Sequence, residues 1–195
     1  MKLKHIFLSG CVCLLTACVA TTSQTPAQWQ AQRDNRQFEA SGRLGVKINE
    51  KGSYANFDWS RKNGVETIDV NTPIGTTVGQ LCQDSQGVLA QDSNGKVYLA
   101  DTPEQLSEQL LGYDLPVKYL GVWANGEWVR DVPHSFTADG KLQQSGWEIS
   151  RELTEEGMPR ILLLESEDLT LRMVFTEYSS ELMQPEKWEL CAARK

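Results

Sequence analysis

The sequence predicts a mainly β domain: a single antiparallel sheet of about ten short strands, accompanied by an N-terminal helix and two mid-chain helices. Three observations carry this prediction. Apolar and polar residues alternate with period two through most of the chain. Turn-forming pairs such as Asn63-Gly64, Asn94-Gly95 and Asp139-Gly140 interrupt the alternation at short intervals. Helical spacing replaces the alternation only near the N-terminus and between Thr102 and Gly126. Links this short favour hairpins over the long crossovers that parallel strands need.

Taken in order, residues 27–38, with Trp29, Gln32, Arg33, Arg36 and Gln37, read as a short polar helix. Leu44, Val46 and Ile48 then share one face of a strand, and Ala55, Phe57 and Trp59 share a face of the next. Arg43, Lys47, Asn56 and Asp58 point the other way, so one face is apolar and the other wet. Ile68 with Val70, Val78 with Cys82, Val88 with Ala90, and Val97 with Leu99 continue as short strands. Thr102 and Gln105 form a capping box with Pro103 in the first helical position. Leu106 and Leu110 lie one turn apart, and Gly112 closes the helix. Pro116 opens a second helical stretch with Val117 and Leu120 on one side, ending near Asn125-Gly126. Strands resume with Gly146 to Ile149, Ile161 to Leu164 and Leu169 to Phe175, and a tail at 179–195 carries no clear pattern. A sheet of this many strands curls. Pattern alone leaves open whether the curled apolar faces enclose a packed core or a cavity.

The start of the chain has a different logic. Lys2 and Lys4 precede an apolar run from Ile6 to Leu15, and Leu15-Thr16-Ala17-Cys18 ends it. This is the pattern of a bacterial lipoprotein signal, and the run is about half the roughly 20 residues that a spanning helix needs. Residues 1–17 are expected to be removed and Cys18 to carry acyl chains on its amine and thiol, an anchor strengthened by about 0.8 kcal/mol per buried methylene. Val19 rather than Asp follows the cysteine, which favours the outer membrane. Residues 18–26, rich in Thr, Ser and Gln, read as a lipidated flexible tether to a domain at 27–178. Loss of the two lysines takes the net charge from −7 to −9, a poor balance for a nucleic-acid binder. Of the cysteines beyond Cys18, only Cys82 and Cys191 remain to form a disulfide, and a buried free thiol is the alternative for Cys82. No metal-ligand spacing is present, and the mature chain has one histidine, His134.

Several segments in order carry a resemblance: Arg43-Leu44-Gly45-Val46, Ala55-Asn56-Phe57-Asp58-Trp59, Thr72-Pro73-Ile74-Gly75, Leu110 to Val117, Asp139 to Leu142, Gly146 to Ile149 and Met158 to Val174. Together with the cysteine signal they resemble the LolB family of outer-membrane lipoproteins. The resemblance implies an unclosed β-barrel capped by helices around an apolar cavity. It further implies that the protein accepts acylated lipoproteins from the soluble carrier LolA and releases them into the inner leaflet of the outer membrane. No nucleotide or other cofactor is implied, and no phosphate-binding loop is present. We expect a monomer.

Thr72-Pro73-Ile74-Gly75 suits a type I turn, with Pro second and Gly fourth, which leaves Ile74 at a tip unless it folds back onto the sheet. The resemblance implies that an apolar residue at this tip assists membrane insertion of cargo. Leu44, Phe57, Trp59, Ile68, Val70, Leu106, Leu110, Leu120 and Trp147 are candidates to line the cavity, with ordinary core packing the alternative for each. A tethered binder of a small lipid or other apolar ligand is a second reading, distinguished by having no use for an apolar tip outside its cavity. A hydrolase is disfavoured: no serine sits in a nucleophile elbow that His134 could serve, and Glu155-Glu156 and Glu165 with Glu167 read as solvated loop charges.

Overall fold

The structure, a computed structural model, describes residues 29–34, 36–48, 51–111, 113–182 and 187–194. The expected signal segment, Cys18, the tether and the helix-closing Gly112 lie outside the described residues. In chain order the strands are β1 (Gln30–Ala31), β2 (Arg36–Ile48), β3 (Lys51–Lys62), β4 (Val65–Asn71), β5 (Thr77–Asp84), β6 (Gly87–Asp92) and β7 (Val97–Ala100). Helices α1 (Pro103–Leu111) and α2 (Val117–Ala124) follow. Then come β8 (Glu127–Trp128), β9 (His134–Phe136), β10 (Leu142–Gln144), β11 (Trp147–Leu153), β12 (Pro159–Glu165) and β13 (Leu169–Leu182).

Eleven of the described strands form one antiparallel sheet in the order β7-β6-β5-β4-β3-β2-β13-β12-β11-β10-β9. β7 and β9 are its two edges, so the sheet does not close into a barrel. It nevertheless wraps: Ile68 of β4 and Leu142 and Ile149 of β10 and β11, from distant parts of the sheet, belong to a single core. The alternation in the sequence determines which face turns inward. Phe57 lies opposite Val70 and Trp59 opposite Ile68, all on the inner side. An extra residue at Thr176 shifts the register of β13 against β2, so that Phe175 and Tyr178 both meet the inner aromatic cluster.

Two expectations need correction. Residues 29–34 are not helical. The amide of Gln30 donates to the Gly126 carbonyl and that of Gln32 to the Trp128 carbonyl, forming a parallel pair of β1 with β8. From Arg36 onward the alternation of Phe38, Ala40 and Leu44 already belongs to β2. The described α-helices are therefore α1 and α2, not three. The tail is also ordered in part: β13 runs to Leu182, and residues 187–194 lie on the outer face of the sheet. There Cys191 forms a disulfide with Cys82, and the two sulfurs pack with Leu89. The Cys191 amide and the Arg194 guanidinium both donate to the Asp84 carboxylate, each at 2.8 Å. Burial pushes the Asp84 carboxyl up, but these bonds and one from the Gln86 amide outweigh it and hold the group below its usual range.

Candidate functional site

The inner face is apolar because β2, β3, β4, β10, β11, β12 and β13 each send alternate apolar side chains to one side. Two short helices cover part of it. The Gln105 amide donates to the Thr102 hydroxyl at 3.2 Å, which caps α1 over β6 and β7. Helix α2 buries Val117, Leu120, Val122 and Trp123. Gly121 permits its close approach: a Cβ there would stand 3.1 Å from Phe38 and 3.4 Å from Trp59. A buried amide fixes the helix end. Gln144 accepts from the Trp123 indole at 3.0 Å and the Val129 amide at 2.9 Å, and donates to the carbonyls of Val129 and Val132. All of its hydrogen-bonding capacity is engaged.

The interior beneath the helices is closely packed. Phe57, Trp59 and Leu106 are 1%, 2% and 0% exposed, whereas a side chain lining an open cavity would present surface to it. Ile68, Leu120 and Trp147 are also buried, and Leu44 and Val70 are half-buried on the inner face. Side chains of α2 and the sheet thus fill the interior around Phe57 and Trp59, while Leu44, Val46, Ile48 and Val70 on the same inner face keep part of their surface open. Leu110 is a correction, since it is 40% exposed. The chain after α1 folds back, with the Ser107 hydroxyl donating to Tyr113 and accepting from the Leu115 amide, so that Leu115 packs on the core instead.

The turn between β4 and β5 forms the second part of the site. The Gly75 amide donates to the Thr72 carbonyl at 2.9 Å, and the Thr72 amide donates to Thr76 at 2.8 Å. Gly75 takes φ 87°, a left-handed conformation at low cost for glycine, and this closes the hairpin. Ile74 stands at the tip, 90% exposed and not folded back. A large apolar side chain held this far into water by a well-bonded turn has no packing role in the domain.

Polar groups that pattern reading missed lie inside. Glu66 shares the inward phase of Ile68 and Val70, and its side chain is 13% exposed. Burial pushes its carboxyl above the usual range, against the nearby Arg61 and a 3.0 Å hydrogen bond donated by the Trp59 indole. At the lower end Glu127, with a side chain 2% exposed, accepts from Arg33 and Arg36, which holds β1 and β2 to the strand after α2. Arg151 lies over the Trp29 ring, and burial lowers its guanidinium to about 10. A carboxylate or arginine in an inward phase was the available sign. His134 stacks on Trp128, with ring centres 4.8 Å apart.

A curled, unclosed sheet with helices against an apolar interior and an exposed apolar turn tip outside it defines a half-barrel protein. The comparison with known families makes the assignment specific: the family model described as "Outer membrane lipoprotein LolB" matches residues 36–178. The chain belongs to the LolB family. It is 45% identical over 192 residues to the outer-membrane lipoprotein LolB of Neisseria meningitidis serogroup A, covering 98% of this chain and 99% of that one. It is 30% identical over 175 residues to the LolB of Chromobacterium violaceum, covering 88% and 97%. Among solved structures it is similar to a LolA superfamily protein of Nitrosomonas europaea, with a TM-score of 0.42 and 7% identity over 84% of this chain and 90% of that one.

Proposed function

We propose that this chain is an outer-membrane receptor for acylated lipoproteins. It accepts them from the periplasmic carrier LolA, holds their acyl chains in the half-barrel interior and releases them into the inner leaflet. Residues 1–17 are removed, Cys18 carries the lipid, 18–26 tether the domain, and the protein works as a monomer without nucleotide or catalysis. The carrying observation is the combination of an apolar interior with Ile74 held exposed at a turn tip outside it. The candidate lining residues other than Leu110 meet the acyl chains when the interior opens.

The energetics favour such a path. At about 0.8 kcal/mol per methylene, a fatty acyl chain left in water costs on the order of 10 kcal/mol, so it must pass from one apolar enclosure to another. Such a hand-over runs downhill and needs no hydrolysed nucleotide.

The test is transfer. The mature chain is mixed with carrier bearing one acylated lipoprotein, and the protein with which cargo co-purifies is identified. Movement of cargo to this chain without nucleotide is expected. Ile74→Glu should accept cargo normally and release it poorly into vesicles; equal release by both forms removes Ile74 from the mechanism. Cargo that stays on its carrier, with the domain folded, favours the tethered binder of a small apolar ligand.

A further inference from the structure

The outer face of the central strands is divided by charge along its length. Arg172 of β13 lies opposite Gly45 of β2, and Arg43 and Lys47 flank Gly45 on the same face. Such diagonal neighbours stand about 7–8 Å apart, close enough for like charges to repel. All three are exposed, and among the described residues none of them takes part in an ion pair. Toward the other end of this face Asp69, Asp58 and Glu177 follow one another across the strands, with Glu39 beyond them. In a chain of net charge −7, three cations therefore stand together at one end of this face.

That end is the one bearing Ile74. Asn56 of β3 pairs with Asn71, the last residue of β4, so residues 51–55 run on beside the turn. The Asn56 side-chain amide donates to the Thr72 carbonyl at 3.4 Å and ties the turn to β3. Tyr54 lies on the outer face opposite Gly45, with its ring against that glycine, and is 86% exposed. An exposed apolar residue, an exposed tyrosine and three unpaired cations thus share one corner of the molecule. Glu167 and Asp168, in the turn before Leu169, are acids of this end and belong to no ion pair among the described residues. Tyrosine favours the membrane interface, and basic residues favour anionic lipid.

We propose that Arg43, Lys47 and Arg172 form a docking face for anionic phospholipid headgroups, which seats the protein on the bilayer so that Ile74 and Tyr54 enter the interface. The proposal rests on the membrane-delivery reading above and gives it an orientation: the outer face at the Ile74 end meets the lipid. An acidic protein surface is the competing occupant.

The experiment uses the mature chain with Cys18→Ala, so that the lipid anchor does not mask surface binding. Its partition is measured by sedimentation with phosphatidylcholine vesicles and with vesicles that also contain phosphatidylglycerol. The parent should prefer the anionic vesicles, and added salt should abolish the preference. At about fivefold per cation near an anionic surface, R43Q/K47Q/R172Q should lower anionic partition by up to about 100-fold without changing binding to phosphatidylcholine or the Tm. Ile74→Glu should lower binding to both. Undiminished binding of the triple variant to anionic vesicles overturns the proposal, as does loss of cargo uptake from the carrier with vesicle binding intact, which assigns the face to a protein. The same preparations enter the transfer assay. A parent that accepts cargo while the triple variant keeps its vesicle binding loses only the docking face; a parent that accepts none loses the receptor reading, and its vesicle preference is judged separately.

Discussion

Breaking the Cys82–Cys191 bond by the double substitution Cys82→Ala and Cys191→Ala should destabilise the fold strongly and leave cargo acceptance intact. The bond joins residues 109 apart in sequence. Closing a loop of that length removes about 16 cal/mol/K from the unfolded chain, about 4.8 kcal/mol at 25 °C. Residual structure in the unfolded chain lowers this figure, as does the hold of Asp84 on Cys191 and Arg194, which survives the substitution. At about 2–4 °C per kcal/mol for a domain of this size, a Tm fall on the order of 10 °C is expected. Calorimetry of the parent and the double variant, each with and without reductant, measures it. Reductant should lower the parent to the variant and leave the variant unmoved. Function should be spared because Cys82 packs on the outer face, whereas its neighbour Leu81 packs against the interior core. A Tm fall below about 3 °C would refute the loop-closure argument, and a loss of cargo uptake would refute the separation of the two faces.

Three further outcomes follow from the interior. Gly121→Leu forces a side chain against Phe38 and Trp59 and should cost about 1–3 kcal/mol or more, read as a lower Tm in thermal unfolding. Gln144→Leu leaves the Trp123 indole, the Val129 amide and two carbonyls without their partner; at about 1 kcal/mol or more each, a loss of several kcal/mol is expected in urea unfolding. Glu66 has a raised carboxyl in the folded state, so the folded chain binds its proton more tightly than the unfolded one. Its contribution is greatest below the unfolded carboxylate range and is lost as pH rises through the folded value. Glu66→Gln keeps an acceptor for the Trp59 indole, so it should raise the Tm at pH 7 and flatten the stability profile between pH 4.5 and 7; an unchanged profile would remove Glu66 as its source.

Local signals carried much of this fold and long-range ones did not. The alternation through Leu44, Val46 and Ile48 and through Phe57 and Trp59 assigned faces correctly, since a strand buried on one side leaves a period of two. The Thr102 cap was visible because it is built within one helical turn. The Pro73 and Gly75 spacing placed Ile74 at a tip for the same local reason. Residues 29–34 read as a helix because their structure comes from Gly126 and Trp128, nearly a hundred residues away, and not from their own pattern. The tail was illegible because it is held by a disulfide and by Asp84, neither of which leaves a periodic trace. Leu110 misled because helical spacing shows which side chains share a face but not what the following loop places beneath them.

The packed interior constrains any mechanism for acceptance. With Phe57, Trp59 and Trp123 almost wholly buried, an acyl chain that enters beneath α2 must displace protein side chains rather than fill a void. The sheet is an unsuitable element to move, because β2 lies between β3 and β13 and pairs with both along most of its length, with one bulge at Thr176. Helix α2 is eight residues long and reaches the interior through Val117, Leu120 and Trp123, and its end is pinned chiefly by Gln144. Displacing it exposes apolar surface that the entering chain covers again, so the apolar terms largely cancel and the cost that remains is the Trp123–Gln144 bond with the ordering of the helix. On the proposed function, acceptance would then be gated by a small polar difference set against a large exchange of like surfaces. Weakening that bond while keeping Gln144 in place, as Trp123→Phe does, should speed cargo uptake and lower stability together. Slower uptake by this variant, with the fold intact, would show that α2 does not form the gate.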